Sequence, residues 1–120
     1  MKESIVQNKS YKFALRIIKL YLFLKNDKKE FQLSKQILRS GTSIGANVEE
    51  ALGGQSRKDF LSKISIAYKE ARETNSWLRL LKDSDLMSQK LFDSFMRDCN
   101  ELLKILGKIQ ITLKNQTRNS

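Results

Sequence analysis

A chain of 120 residues, 40% hydrophobic and 30% charged, has the length and composition of one globular domain. It contains no proline, no histidine and a single cysteine, Cys99, which excludes an internal disulfide and imidazole acid–base chemistry. The formal charge of +10 points to polyanionic partners, because Lys and Arg neutralise phosphate backbones and release their counterions.

No segment reaches the ~18 uninterrupted apolar residues of a membrane span. The richest run, residues 13–24, is cut by Arg16 and Lys19. Lys9, Lys12 and Arg16 interrupt any signal-peptide core at the N-terminal end. With a lone cysteine suited to a reducing compartment, the expectation is a cytoplasmic protein without a membrane partner. The positive charge is concentrated in residues 1–30, where eight Lys/Arg face three acids.

Apolar residues recur with a period of 3.6 almost throughout, and the first helix is predicted over residues 10–25. Lys9, Lys12, Arg16 and Lys19 form one basic stripe. Phe13, Ala14, Ile17, Ile18, Leu20, Tyr21 and Leu24, with Leu15 and Leu22, fill most of the remaining circumference. A single packing face needs an arc of only ~100° or somewhat more. The excess predicts one side buried in the bundle and another against a second subunit.

A polar turn at residues 26–30 leads to a second helix over residues 31–52. Its sequence Arg39-Ser-Gly-Thr-Ser-Ile-Gly-Ala-Asn-Val-Glu-Glu-Ala51 has the glycines of a phosphate loop, but not the spacing. A phosphate loop reads Gly-x-x-x-x-Gly-Lys-Ser/Thr. Here Gly41 and Gly45 are one residue too close, and Ala46-Asn47 stand where the lysine and hydroxyl belong. Glycine within a helix costs about 1 kcal/mol against alanine. Two on one face therefore predict a close helix–helix crossing.

Gly53-Gly54 ends that helix, and Ser56 with Asp59 reads as a capping box opening a third over residues 57–82. Phe60, Ile64, Ala67, Ala71, Leu78 and Leu81 are its core stripe. Lys58, Lys69, Arg72 and Arg79 gather on one flank; Asp59, Glu70 and Glu73 gather on the other. Ser88 is placed to cap a fourth helix over residues 88–113, whose seam includes Phe92, Phe95, Cys99, Leu102, Leu106 and Ile109. Residues 114–120 read as a frayed polar tail. Four helices with short connections predict an all-α, antiparallel up-down-up-down bundle in a single domain, residues 1–120.

The chain offers little for catalysis. Without histidine, Cys99 lacks its usual activating base, and the Glu-x-x-His pairs of di-iron bundles are missing. Glu70 and Glu73 read as a solvated or ion-paired acidic flank, Trp77 as a buried or interfacial anchor, and Asn47 and Asn75 as hydrogen-bonding groups between helices. No catalytic residue, metal, cofactor or small-molecule substrate is expected. The basic stripes lack any base-reading motif, so contact with a nucleic-acid backbone is expected over base readout.

Leu33-Ser-Lys-Gln-Ile-Leu-Arg-Ser-Gly-Thr-Ser-Ile-Gly-Ala-Asn-Val-Glu-Glu-Ala51 resembles the signature of the bacterial four-helix bundle proteins, the 23S rRNA intervening-sequence proteins. Gln55-Ser-x-x-Asp-Phe60, Ile66-Ala-x-Lys-Glu-Ala71 and Glu73-Thr-x-x-Trp-Leu78 match in order, and the resemblance spans residues 10–113. Ser76 departs from the aromatic residue often found there. The resemblance implies a bundle that assembles into a homopentameric ring. It also points to the related accessory variability determinant of diversity-generating retroelements, a basic pentameric bundle that works with nucleic acid and a reverse transcriptase.

The expected function is therefore a non-enzymatic, homo-oligomeric basic bundle binding RNA or other nucleic acid through Lys9, Lys12, Arg16, Lys19, Lys69, Arg72 and Arg79. Gly41, Gly45, Asn47, Asn75 and Trp77 are expected to serve helix packing. The competing expectation is a scaffold recruiting a partner protein such as a polymerase or reverse transcriptase.

Overall fold

Ser4 opens the first helix: its hydroxyl accepts the backbone N–H of Gln7 at 3.3 Å, satisfying one of the donors that a helix start leaves free. The computed structural model describes the backbone of residues 4–119 and the side chains of residues 4–116. Its elements are α1 (Ile5–Asn26), α2 (Leu33–Leu52), α3 (Arg57–Asp83) and α4 (Gln89–Asn119), with no strand among the described residues.

The predicted helix bounds require three corrections. α1 begins at Ile5, not at residue 10, because the Ser4 cap lies upstream of the apolar pattern and Val6 and Ser10 are already buried. α2 begins at Leu33, not at residue 31. The Glu30 carboxylate caps it, accepting from Ser34 N at 2.8 Å and from Gln32 N at 3.2 Å. α4 continues to Asn119, so the described part of the predicted frayed tail is helical; Ser120 lies outside the described residues. Gln110 Nε2 donates to Ser65 Oγ at 2.9 Å, and that register carries the last turns of α4 alongside the first turns of α3.

Side-chain hydroxyls start the later helices as well. Ser56 Oγ accepts Asp59 N at 3.0 Å, and Ser88 Oγ accepts Leu91 N at 3.1 Å. The α3–α4 turn closes through Leu86 N to Leu81 O at 2.9 Å, with Asp85 in the left-handed region at φ 62°. Aspartate tolerates that conformation better than most residues.

Cross-helix pairs give the direction of each seam. Gln7 meets Glu49, and Gly45 and Gly41 lie against Ser10 and Ile17 respectively, so α1 and α2 are antiparallel. Arg39 with Glu70 and Lys63 with Glu50 give the same sense for α2–α3. Cys99 with Ala71 and Gln110 with Ser65 give it for α3–α4. α4 closes on α1, and this seam is the least extensive of the four.

The resulting rod measures 52 × 24 × 22 Å. Ile17, Ile37, Ile44, Ile64, Leu78, Leu81 and Leu106 have no exposed surface along its axis. Each such side chain contributes about 1.5–3 kcal/mol relative to exposure. Ser40 and Thr74, equally buried, share a 2.9 Å hydrogen bond across the α2–α3 seam, which keeps both hydroxyls satisfied.

Candidate nucleic-acid interface

The four cations of the α1 stripe have different fates. Arg16 turns into the α1–α4 seam: Nη1 donates to Asp98 Oδ2 at 2.6 Å, and Nη2 donates to Ser94 Oγ at 2.9 Å. Its guanidinium also lies 4.2 Å from the centre of the Phe95 ring, a cation–π contact. Lys9 Nζ pairs with Glu101 Oε2 at 3.1 Å. Lys12 and Lys19 are exposed and have no ion-pair partner among the described residues. Half of the predicted stripe is thus engaged within the molecule. Asp98 and Glu101 lie more than 80 positions away in sequence, so the α1 pattern alone carries no sign of these pairings.

The α3 flank is different. Lys69, Arg72 and Arg79 are all exposed, and none is ion-paired among the described residues. Arg79 Nη2 makes only a long, 3.5 Å contact with Ser76 Oγ. Arg72, Asn75, Ser76, Arg79 and Leu103 line an open depression of about 240 Å³ between α3 and α4. The acidic flank of α3 is neutralised from α2, where Arg39 pairs with Glu70 at 3.0 Å and with Glu73.

The packing residues occupy several different seams. A Cβ at Gly41 would enter the Ile17 side chain, whereas one at Gly45 would make ordinary contact with the Ser10 carbonyl oxygen at 3.4 Å. Asn75 Nδ2 donates across the α3–α4 seam to Asn100 Oδ1 at 3.0 Å. Asn47 does not cross a seam: its Nδ2 donates to Ser43 O in its own helix at 2.8 Å. Trp77 is half-buried against the core, with an inaccessible indole N–H that has no hydrogen-bond partner among the described residues. Cys99 is fully buried and donates to Ala71 O at 3.4 Å. Burial pushes its thiol up from 9.0 to about 12, too high for a reactive thiolate at neutral pH.

Sequence reasoning missed a further row of cations. α4 meets α3 through Met96, Cys99, Asn100 and Gly107, and meets α1 through Ser94, Asp98 and Glu101. The outward side between these two contact strips carries Lys90, Arg97, Lys104 and Lys108, all exposed and none ion-paired among the described residues. Successive steps of seven, seven and four residues keep them on one side of a helix, a periodicity present in the sequence but overshadowed there by the apolar seam. Among the described residues, no cluster of three or more acidic, cysteine or histidine side chains could hold a metal ion, and no helix is long and apolar enough to cross a membrane.

Comparison with known proteins adds two findings. The family description of the 23S rRNA-intervening sequence protein matches residues 2–108. A crystal structure of a protein of unknown function from the S23 ribosomal protein family of Bacteroides thetaiotaomicron VPI-5482 is similar at a TM-score of 0.88 and 51% identity. The alignment covers 92% of this chain and 98% of that one. No curated protein matches the chain.

Proposed function

This chain belongs to the 23S rRNA-intervening sequence protein family, and from that membership we propose that it acts as a non-enzymatic, homo-oligomeric bundle binding RNA or another nucleic acid through its phosphate backbone. One observation carries the reading: Lys69, Arg72 and Arg79 of α3 and Lys90, Arg97, Lys104 and Lys108 of α4 are exposed and have no carboxylate partners within the described residues, whereas Lys9, Arg16 and Arg39 do. Unpaired cations on a rigid surface cost little to bring to a phosphate, because no existing ion pair has to break.

Self-association rests on α1. Tyr11, Leu15, Ile18 and Leu22 recur at helical spacing and are 64%, 46%, 41% and 45% exposed, respectively. A contiguous apolar strip of this kind on a charged protein fits a subunit interface. A pentameric ring is the proposed assembly. Sedimentation equilibrium combined with RNA crosslinking tests both parts of the reading. The expected result is a mass five times 13.9 kDa, with crosslinks mapping to α3 and α4. A folded monomer at micromolar concentration, or an absence of crosslinks, contradicts it.

A second reading, recruitment of a partner protein, is favoured by the cleft beside the loosest seam. Arg16, Lys19, Leu20, Phe23, Leu91 and Phe95 line a space of about 380 Å³ there, mostly apolar and edged by positive charge. A partner captured by the purified protein and retained after nuclease treatment supports this reading; loss on nuclease treatment supports the first.

A further inference from the structure

We infer that the α3–α4 face binds double-helical nucleic acid by its two phosphate rows, in preference to single strands; this rests on the nucleic-acid reading above. The face has two antiparallel rows of cations. Lys69, Arg72 and Arg79 line α3, and Lys90, Arg97, Lys104 and Lys108 line the outward side of α4. Along each row the steps of three, four and seven residues correspond to about 4.5, 6 and 10 Å of helix rise, and the two helix axes lie about 8–10 Å apart.

The depression between the rows holds two arginines with Asn75 and Ser76. Asn75 is held by Asn100, so the floor between the rows is polar and ordered. Two of the three carboxylates nearest the α4 row are engaged with cations elsewhere, and the third, Asp93, stands on the row between Lys90 and Arg97. Glu101 is turned to Lys9, Asp98 to Arg16, and Asp93 accepts from Gln89 Nε2 at 2.8 Å.

The choice between duplex and single strand follows from what else the face carries. Proteins that hold single strands stack bases on exposed aromatic rings, worth about 1–3 kcal/mol per base. Among the described residues the exposed aromatic side chains are Tyr11 and Phe31, on α1 and ahead of α2. Phe60, Tyr68, Trp77 and Phe92 of α3 and α4 are half-buried against the core, and Phe95 is fully buried. Ile66, Leu80 and Ile111 are the large apolar side chains exposed on these helices. Tyr68, half-buried in a depression beside Lys69 and Arg72, is the one ring among the residues lining the depressions of this face, so the two cation rows offer far more to the phosphates of a double helix than to a run of unstacked bases.

The test uses the full chain in its natural assembly and three labelled probes of roughly 20 nucleotides or base pairs: an RNA duplex, a DNA duplex and an unstructured single strand. A probe of that length exceeds the about 46 Å of α4. Affinities are measured in low salt for wild type, for Arg97→Glu/Lys104→Glu, and for Lys12→Glu/Lys19→Glu. The milder Arg97→Gln/Lys104→Gln serves if the reversed variant loses its helical signal. The expected result is duplex binding at least about tenfold tighter than single-strand binding, reduced about tenfold or more by the α4 variant and much less by the α1 variant. The two duplex arms distinguish A-form from B-form backbones as the source of the phosphates. Equal or tighter single-strand binding overturns the inference, as does a duplex affinity that responds only to the α1 variant; the nucleic-acid reading survives either outcome. Absence of salt-sensitive binding to all three probes overturns both.

Discussion

Position 41 is glycine because Ile17 occupies the space that a side chain would need: a Cβ there would stand 2.6 Å from Ile17 Cγ1 and 2.9 Å from Cδ1. Ile17 is completely buried and has nowhere to retreat. Overpacking of this kind costs about 1–3 kcal/mol. Alanine recovers roughly 1 kcal/mol of helix propensity, so Gly41→Ala is expected to destabilise by up to about 2 kcal/mol. At Gly45 the nearest atom to a Cβ is 3.4 Å away. Gly45→Ala is therefore expected to be neutral or to stabilise by up to about 1 kcal/mol. Urea unfolding of the two variants gives opposite signs if the α1–α2 approach is as described.

Arg16 predicts a separation of stability from binding. Its partners are Asp98, Ser94 and the Phe95 ring, so Arg16→Ala loosens the α1–α4 seam. The groups are about one-third exposed, and solvent screens the pair; the expected loss is about 1–2 kcal/mol, mostly from the ring contact and the hydroxyl bond. Affinity for RNA, measured where the variant remains folded, is expected to change by no more than about twofold. A large loss of affinity with unchanged stability would place Arg16 among the phosphate contacts instead.

Cys99 gives stability an alkaline dependence. Burial holds its thiol protonated to about 12 in the folded chain, against 9.0 ordinarily. Between these values the unfolded chain has lost the proton and the folded chain has kept it, so the unfolded state gains as pH rises. The contribution is intact below pH 9 and is lost progressively up to about pH 12. Cys99→Ala, compared with wild type by urea unfolding at successive pH values, is expected to show a shallower decline across that window. The native thiol is also expected to resist a water-soluble disulfide reagent at pH 8 and to react once urea is added.

The fold was legible in the sequence wherever apolar spacing was the signal. The core positions Ile17, Ile44, Ile64, Leu78 and Leu106 follow from periodicity alone. Helix ends were less legible, because they depend on single groups: the Ser4 hydroxyl upstream of the pattern and the Glu30 carboxylate ahead of α2. The charged surface was least legible. Whether a cation is free depends on a carboxylate far away in sequence, as with Lys9 and Glu101, and no local pattern encodes that distance. The α4 row was present as a seven-residue spacing of Lys90, Arg97 and Lys104, but the apolar seam of the same helix dominates the pattern.

The most direct test of the account is the salt dependence of binding to a structured RNA, for wild type and for Lys69→Glu/Arg72→Glu/Arg79→Glu. Each phosphate contact adds about 0.7–0.9 to the slope of log affinity against log salt. A steep wild-type slope is expected, falling by about two units or more in the variant, with the helical signal and assembly mass unchanged. A slope and affinity that survive reversal of all three charges would contradict it.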